Sequence, residues 1–474
     1  MKKGIVALVI VAMVAAAIFV NNYFYRVREV VILSTNDMHA SIGNFARLTT
    51  AVGECRDTVE TILVDAGDRW TGNTYVDWAE GRRPILDLMA KVGYDVVALG
   101  NHEFDLGAHF LAEAIAYSKF PTICSNVESS RDDFATPAAT HTITTADGLQ
   151  ICFAGVVTNY DNGHPDGNNA LFEGLHFPDP MEAARKVAEG CTQADVRVLL
   201  SHMAYDKDVE FATAGSPYEV IIGGHSHTVA DTLVNGTVIG QTGRKLRLVG
   251  ATRLRLRGTE IVSAEYENID LAQYEPNDEV AAMVAEIESN PELKRIVGTL
   301  AGTLNLTGLA NMETEVVAAE AGAEIGFYHY GGIRLAELAE GDVQLVSLCD
   351  LEPFFSTIYT IEMTPAQMRK MIIDKYNDTK NTKESHRIDL FCSTPYDIIV
   401  DSEDCAHDVR FARLREGRRY RVALTDYVAK KYDSIEGERG TFTNLSILEA
   451  LKSHFRDHSP VKADNTPRQR IVRP

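Results

Sequence analysis

The sequence predicts an α/β fold built from stacked layers of helices and strands. Residues 29–270 alternate short apolar runs, rich in β-branched residues, with longer helical stretches. A chain of 474 residues is long enough for two or more domains. Its 45% apolar and 24% charged residues allow ordinary hydrophobic cores and do not indicate disorder.

Five of the predicted strands each end at residues that can bind a metal ion. The apolar runs lead into the polar segments 36–39, 65–68, 100–103, 201–202 and 223–227. In α/β sheets, ligands bind outside the carboxyl ends of the strands. Five strands that deliver Asp, Asn and His side chains to this edge would build one site from five loops.

The stretches between these strands predict helices. Residues 84–92, 106–118 and 180–189 have amphipathic patterns. Asn277, Asp278 and Glu279 provide a cap and an acidic first turn for a helical run from 280 to 289, which ends before Pro291. We interpret the segment around this run as a connector between two domains.

The residue types in the five loops fit a pair of divalent metal ions. The candidate ligands are Asp37, His39, Asp68, Asn101, His202, His225 and His227. Carboxylate and imidazole groups suit Zn, Mn, Fe or Co, and the residues do not choose among these metals. If Asp68 bridges the two ions, each receives about four protein ligands, which leaves room for water and substrate.

Simpler interpretations exist for each residue taken alone. An Asp or Asn after a strand is usually part of a turn or a helix cap. Five such segments, each after a strand-like run, favour the metal site over capping. A zinc-protease helix is excluded, because Leu106 occupies the position four after His102 where that motif needs a second His.

The order of the five segments resembles that of the calcineurin-like metallophosphoesterase family. Within this family the chain is similar to bacterial 5′-nucleotidases of the two-domain type, which includes UDP-sugar hydrolase. The matching blocks are Thr35-Asn36-Asp37-Met38-His39, Ala66-Gly67-Asp68, Gly100-Asn101-His102-Glu103-Phe104-Asp105, Leu200-Ser201-His202 and Gly223-Gly224-His225-Ser226-His227. Ala40 stands where the family often has Gly. The resemblance implies a four-layer α/β/β/α catalytic domain at 29–272, a connector at 273–297 and a smaller α/β substrate-binding domain at 298–474.

The resemblance also implies a role for each residue of the site. It assigns one metal to Asp37, His39, Asp68 and His227, and the other to Asp68, Asn101, His202 and His225. His102 is then not a ligand but lies beside the phosphate, where it stabilises charge or protonates the leaving oxygen. Asp105 orients His102, which is a suitable arrangement for a general acid.

The second domain resembles the C-terminal domain of the 5′-nucleotidases at fewer positions. The implied substrate-binding residues are Gly331, Gly332, Arg334, Phe354, Tyr427 and Asp433. Two aromatic rings can sandwich a base, and an arginine can hold a phosphate or carboxylate bidentately. Core packing of the rings, and a simple turn at the glycine pair, are the alternatives. His329 replaces the family's Asn, and Lys431-Tyr432 replaces its Gly-Gly.

These matches imply a phosphohydrolase that uses two divalent metal ions. The expected reaction releases phosphate from nucleoside 5′-monophosphates by attack of a metal-activated water, with Asn101 and His102 stabilising the phosphoryl oxygens. Because His329, Lys431 and Tyr432 depart from the family pattern, a cyclic-nucleotide phosphodiesterase or a nucleotide-sugar or dinucleotide pyrophosphatase stays an alternative. A non-catalytic surface binding protein is disfavoured by the complete set of ligands.

The net charge limits the possible partners of the protein, and the N-terminal segment indicates its location. A formal net charge of −21 argues against nucleic acid as a partner, since phosphate repulsion would not be offset. Residues 1–28 predict a targeting segment, in which two lysines precede an apolar run from residue 5. The run continues to residue 25, so it predicts either a cleaved signal or an uncleaved membrane anchor. We expect an exported protein of the periplasm or cell envelope, which contacts the membrane only through this segment, and only if the segment is not cleaved.

Seven cysteines are scattered along the chain without a C-x-x-C motif. Cys124, Cys152 and Cys349 lie in apolar surroundings and are predicted to be small buried side chains. Cys392 and Cys405 flank a 12-residue segment and are predicted to be able to pair after export.

Overall fold

The structure is a computed structural model that describes residues 11–14, 27–167, 169–381, 386–432 and 440–474. The chain divides into two units, Met1–Glu288 and Ser289–Pro474. The predicted targeting segment lies almost entirely outside the described residues. Among the residues that are described, no helix combines the length and apolar character needed to cross a membrane.

The first unit contains two six-stranded sheets. Its strands are β1 (Val27–Thr35), β2 (Glu60–Asp65), β3 (Val96–Ala98), β4 (Thr122–Ile123), β5 (Glu128–Ser129), β6 (Thr140–Thr144), β7 (Gln150–Val157), β8 (Leu175–His176), β9 (Val196–His202), β10 (Val220–Gly223), β11 (Val229–Val234), β12 (Thr237–Thr242), β13 (Leu248–Arg257) and β14 (Glu260–Asp270). One sheet has the order β14-β13-β1-β2-β3-β4, and the other has the order β11-β12-β10-β9-β7-β6.

Helices cover the outer faces of both sheets. They are α1 (Phe45–Arg56), α2 (Thr74–Asp77), α3 (Arg83–Val92), α4 (Gly107–Tyr117), α5 (Pro180–Ala188), α6 (Tyr205–Thr213) and α7 (Asp278–Ile287). The predicted helices at 84–92, 106–118 and 180–189 are confirmed as α3, α4 and α5.

Three hydrophobic clusters define four layers. Alternate residues of β1 face opposite sides of their sheet, as the pleat of a strand requires. Ile32 packs between the two sheets with Phe153 and Ile222. Val31, on the other face, packs with Phe45 of α1. A further cluster joins the second sheet to α5 and α6. The predicted α/β/β/α order is therefore confirmed.

Parallel pairing aligns the carboxyl ends of the strands that carry the site. Thr35 of β1 lies opposite Asp65 of β2, and Asp65 lies opposite Val97 of β3. In the second sheet, Gly223 of β10 lies opposite Ser201 of β9. The loops that follow these strands therefore leave each sheet at one edge.

The second unit is a smaller α/β arrangement. Its strands are β15 (Ile296–Ala301), β16 (Leu304–Asn305), β17 (Ile325–His329), β18 (Glu337–Leu338), β19 (Gly341–Gln344), β20 (Thr357–Met363), β21 (Leu390–Cys392), β22 (Tyr396–Val400), β23 (Ala406–Phe411), β24 (Tyr420–Thr425), β25 (Thr441–Ser446), β26 (Val461–Lys462) and β27 (Gln469–Val472). Its helices are α8 (Leu306–Glu320), α9 (Leu345–Leu351), α10 (Pro365–Asn381), α11 (Asp426–Lys431) and α12 (Ile447–His458). A five-stranded sheet of order β21-β17-β24-β20-β25 forms its centre.

The helix predicted for the connector is α7, and it packs on the first unit. Asn277 caps it by accepting a hydrogen bond from the Val280 amide (3.1 Å). Val280 and Val284 are buried in the same hydrophobic cluster as α1 and α3. The apolar face of α7 is thus part of the first unit's core.

The predicted pairing of Cys392 with Cys405 is wrong. Both are free, whereas Cys152 and Cys191 form a disulfide with a Cα–Cα distance of 6.0 Å. Strand β22 lies between Cys392 and Cys405 in the sequence, and its extended backbone leads the chain away from Cys392. Cys124, Cys152 and Cys349 are buried, as predicted, but Cys152 is in the disulfide and the other two are free.

Candidate functional site

The loops after β1, β2 and β10 hold their polar residues in unusual backbone conformations. Asp37, His39, Asp68, His225 and His227 have φ angles of 48°, 46°, 58°, 75° and 55°. Positive φ is uncommon outside glycine, and such strain concentrates at functional sites. Backbone hydrogen bonds fix the loops to each other, from Asp37 N–H to the Gly67 carbonyl (2.9 Å) and from His39 N–H to the Asp68 carbonyl (3.0 Å).

One group of donor atoms comes from β1 and from the loop after β10. His39 Nε2 lies 2.8 Å from His227 Nε2, which is 3.5 Å from Asp37 Oδ1. His39 Nδ1–H donates to the Thr71 carbonyl (3.1 Å), so its Nε2 carries the lone pair. Asp37, His39 and His227 thus direct three potential ligand atoms to one point.

A second group lies beside the first. His202 Nε2 is 3.2 Å from Asp68 Oδ2, and His225 Nδ1 is 3.0 Å from Asn101 Oδ1. His202 Nδ1–H donates to the Ala66 carbonyl (2.7 Å). The buried His202 Nε2 therefore faces a carboxylate. The structure brings all seven predicted metal ligands into these two neighbouring groups.

The donor set fits divalent cations. The separations of 2.8–3.5 Å between neighbouring donors match the edges of a coordination shell whose bonds are about 2.0–2.2 Å long. His202 Nε2 is buried without a hydrogen-bond partner in the described chain, as a metal ligand would be. Gly100 permits this approach, because a Cβ there would lie 2.2 Å from Asp68 Oδ1 and 2.8 Å from His202 Cε1.

In the protein without cations, the candidate ligands differ in their protonation. Burial raises the pKa of Asp37 to about 7. Burial opposes protonation of His202, but the carboxylates of Asp68 and Asp37 raise its pKa to about 10. Burial lowers the pKa of His227 to about 4 and also lowers that of His225, so both are neutral imidazoles near pH 7. A neutral imidazole is the form that binds a metal.

His102 lies at the rim of the two groups. Its Nδ1 is 2.8 Å from Asp105 Oδ2, and its backbone N–H donates to Asp68 Oδ1 (2.9 Å). The Thr71 hydroxyl also donates to Asp105. The carboxylate therefore holds the imidazole with Nε2 directed away from Asp105. His102 is also close enough to His39 and Asp68 to form a third potential ligand group with them.

Three residues that sequence reasoning missed support the site. Buried Glu103 accepts hydrogen bonds from the amides of Asp68 (2.9 Å), Arg69 (3.0 Å) and Gly100. Asn36 donates to Asp37 Oδ2 (2.6 Å) and so orients it. Asp166 places Oδ2 3.4 Å from His225 Nε2, on the far side of that ring from Asn101. The matched blocks contain Asn36 and Glu103, but nothing in the sequence signals Asp166.

The predicted substrate residues lie in the second unit. The Arg334 guanidinium carbon is 5.4 Å from the centre of the Phe354 ring, so these two side chains are together. Tyr427 stacks on His329 with ring centres 4.6 Å apart. A Cβ on Gly332 would lie 2.6 Å from the His329 ring, so internal packing already requires this glycine. Asp433 lies outside the described residues.

Comparison with known proteins gives the family. The model of the calcineurin-like phosphoesterases matches residues 30–229, and that of the 5′-nucleotidase C-terminal domain matches residues 295–437. The chain belongs to the two-domain 5′-nucleotidase type of metallophosphoesterase. Its family and fold are those of phosphoester hydrolases.

Individual relatives agree with this assignment. Protein UshA of Yersinia enterocolitica is 24% identical over 535 aligned positions, which cover 94% of this chain and 94% of UshA. The trifunctional nucleotide phosphoesterase YfkN of Bacillus subtilis is 24% identical over 74% of this chain. That match covers 28% of YfkN, so the chain spans less than a third of its length. The 5′-nucleotidase precursor of Thermus thermophilus shares the fold, with a TM-score of 0.78 and 19% identity over 94% of this chain and 99% of that one.

Proposed function

We propose that the chain is a dinuclear-metal phosphohydrolase that releases phosphate from nucleoside 5′-monophosphates. The observation that supports this most directly is the convergence of seven candidate ligand side chains in two neighbouring groups, beside the His102–Asp105 pair. The nucleotide phosphoesterases and 5′-nucleotidases among its relatives support the substrate class.

Two cations held by these residues would polarise the phosphoryl oxygens and an attacking water. Asp37, His39 and His227 are proposed to hold one ion, Asn101, His202 and His225 the other, and Asp68 both. The ligand types suit Zn, Mn, Fe and Co equally and do not choose one of them.

His102 is proposed to act on the leaving group. The Asp105 carboxylate accepts a hydrogen bond from His102 Nδ1–H, so Nε2 is the ring atom that can give a proton to the ester oxygen. Asn101 is proposed to orient a phosphoryl oxygen as well as to hold a metal ion. In the second unit, Arg334, Phe354 and Tyr427 are proposed to hold the nucleotide, with Gly331, Gly332 and Asp433 as further contacts.

Export of the protein is part of this proposal. The Cys152–Cys191 disulfide supports an oxidising compartment, because such bonds rarely persist in a reducing cytosol. A periplasmic or cell-envelope location would give the enzyme access to nucleotides outside the cytoplasm.

The test is hydrolysis by the purified protein with each of the four metals, with the nucleotide, nucleoside and phosphate products separated and quantified. The substrates are nucleoside monophosphates, cyclic nucleotides, nucleotide sugars and dinucleotides. We expect nucleoside 5′-monophosphates to be cleaved fastest. Asp68→Ala should abolish turnover and metal binding, while Asp231→Ala, at an exposed carboxylate, should change neither. Faster cleavage of a diester or pyrophosphate would overturn the proposed substrate, and two metals retained in Asp68→Ala would overturn its shared role.

A further inference from the structure

Thr71 is held in a strained conformation next to the proposed acid. It is buried, and its φ of 68° lies in the left-handed region, where a β-branched residue is an outlier. The buried carboxylate of Asp77 accepts hydrogen bonds from the amides of Thr71 (3.0 Å), Gly72 (2.7 Å) and Asn73 (3.0 Å) and so fixes this conformation. Strain that is held in this way concentrates at functional sites.

Buried Arg82 sets the direction of the Thr71 hydroxyl. Arg82 Nη1–H donates to Thr71 Oγ1 (3.1 Å), and Nη1 also lies 3.7 Å from Asp77 Oδ1. A guanidinium can only donate hydrogen bonds, so Thr71 Oγ1 is the acceptor of this one. The single proton of the hydroxyl is then directed to Asp105 Oδ2.

The Thr71 hydroxyl restricts the carboxylate that orients His102. Asp105 Oδ2 accepts one hydrogen bond from Thr71 and another from His102 Nδ1–H (2.8 Å). The last torsion of an aspartate has a broad energy minimum, so a carboxylate held by His102 alone could turn together with the ring. The carbonyl of Thr71 accepts a hydrogen bond from His39 Nδ1–H (3.1 Å). Thr71 therefore holds a candidate metal ligand and the proposed acid in a fixed relation to each other.

We propose that Thr71 is a positioning residue, whose hydroxyl holds Asp105 so that His102 Nε2 gives its proton to the leaving oxygen as the bond between that oxygen and phosphorus breaks. The proposal rests on the proposed function, because it assigns Thr71 a part in protonating the leaving group. It requires that the hydroxyl matters only for esters whose leaving group needs this proton.

Three variants at this position test the role of the hydroxyl in the metal-loaded protein. Thr71→Val removes the hydroxyl and keeps the shape of the side chain, Thr71→Ala removes both, and Thr71→Ser keeps the hydroxyl. The Val and Ala variants should lower kcat for phenyl phosphate by ~10- to 100-fold, the effect of a lost hydrogen bond to a charged group. Their KM and metal content should stay close to those of the wild-type protein. Thr71→Ser should restore kcat.

A second ester and two further variants separate positioning from a structural role. The kcat for p-nitrophenyl phosphate should change little in Thr71→Val, because p-nitrophenolate leaves without a proton. Adding Thr71→Val to His102→Ala should cause no further loss on phenyl phosphate, since the hydroxyl acts through the imidazole. Thr252→Val removes another buried hydroxyl, in β13, that has no hydrogen-bond partner in the described chain, and should leave both kcat values unchanged.

The outcomes distinguish this inference from the proposed function. Equal losses on both esters in Thr71→Val, or a further loss in the His102→Ala background, would overturn the role of Thr71. So would a wild-type kcat on phenyl phosphate in the Val and Ala variants, even if the protein cleaves AMP. Cleavage of phenyl phosphate that depends on the Thr71 hydroxyl, without cleavage of AMP, would overturn the proposed nucleotide substrate and leave the role of Thr71 standing.

Discussion

His102 and Asp105 are the pair of side chains on which the rate should depend most. The Asp105 carboxylate lies 2.8 Å from His102 Nδ1. His102→Ala should lower kcat for AMP by ~10²–10⁴, the range for a positioned proton donor, with metal content unchanged. Asp105→Asn should have a smaller effect in the same direction. His109→Ala, at an exposed imidazole, is the control. Loss of a metal ion from His102→Ala would show instead that His102 is a ligand.

Asp166 should matter through metal affinity. It lies 3.4 Å from His225 Nε2, while Nδ1 of the same ring faces Asn101. A carboxylate behind a ligating imidazole fixes its tautomer and raises its basicity. Asp166→Asn should weaken one of the two metal sites by ~10–100-fold in competition with a chelator. Asp161→Asn, on the same loop, should not. Unchanged affinity in Asp166→Asn would contradict this role.

Some residues of the site can be predicted from the sequence, and others depend on contacts that form only in the folded chain. Asp37 or His202 can be predicted because each follows a strand in a recognisable block. Asp166 cannot, because it reaches His225 from a loop far away in the sequence. The bracing by Glu103 depends on three amides that meet only in the folded chain.

At the scale of elements, periodicity predicted where helices lie but not what they pack on. Helices α3, α4 and α5 begin and end within one residue of the predicted bounds. The amphipathic pattern of α7 predicted an apolar face, but it did not show that this face packs on the first unit. The Cys392–Cys405 prediction was wrong for a related reason, since spacing along the chain does not show that a strand separates two residues.

The packing of α8 on β17 buries a carboxyl group whose titration should affect stability. Burial, and then the neighbouring Glu352, raise the pKa of Glu313 well above its usual value. The folded state therefore holds a proton that the unfolded state releases as the pH rises above about 4.5. Stability is complete below this pH and is lost as the pH increases towards the folded-state pKa.

Glu313→Gln should remove this pH dependence. In urea unfolding, the free energies of unfolding of the variant and the wild-type protein should differ little at pH 5. The advantage of the variant should then grow as the pH rises to 8. Glu320→Gln, at an exposed position of the same helix, should show no such gain. A difference between Glu313→Gln and the wild-type protein that does not grow with pH would mean that Glu313 is ionised in the folded state.

At the scale of the whole molecule, the chemistry and the recognition are assigned to different units. The candidate metal ligands and His102 all lie in the first unit, and Phe354, Tyr427 and Arg334 lie in the second. The division predicts that the units can be tested apart. Helix α7 decides where the cut should be made, because it lies after the predicted end of the catalytic domain and yet packs on the first unit.

A fragment of residues 27–288 should fold, bind two metal ions and cleave p-nitrophenyl phosphate, but cleave AMP poorly. The shorter fragment 27–272 should be less stable by about 3–6 kcal/mol, because it loses the burial of Val280 and Val284. It also loses the hydrogen bond from the Asn277 amide to the Ala46 carbonyl (3.0 Å). Urea unfolding of the two fragments measures their difference in stability. KM values of fragment 27–288 for AMP and p-nitrophenyl phosphate measure its loss of nucleotide recognition. Full activity on AMP from residues 27–288 would remove the proposed role of the second unit, while equal stability of the two fragments would show that α7 is dispensable for the first.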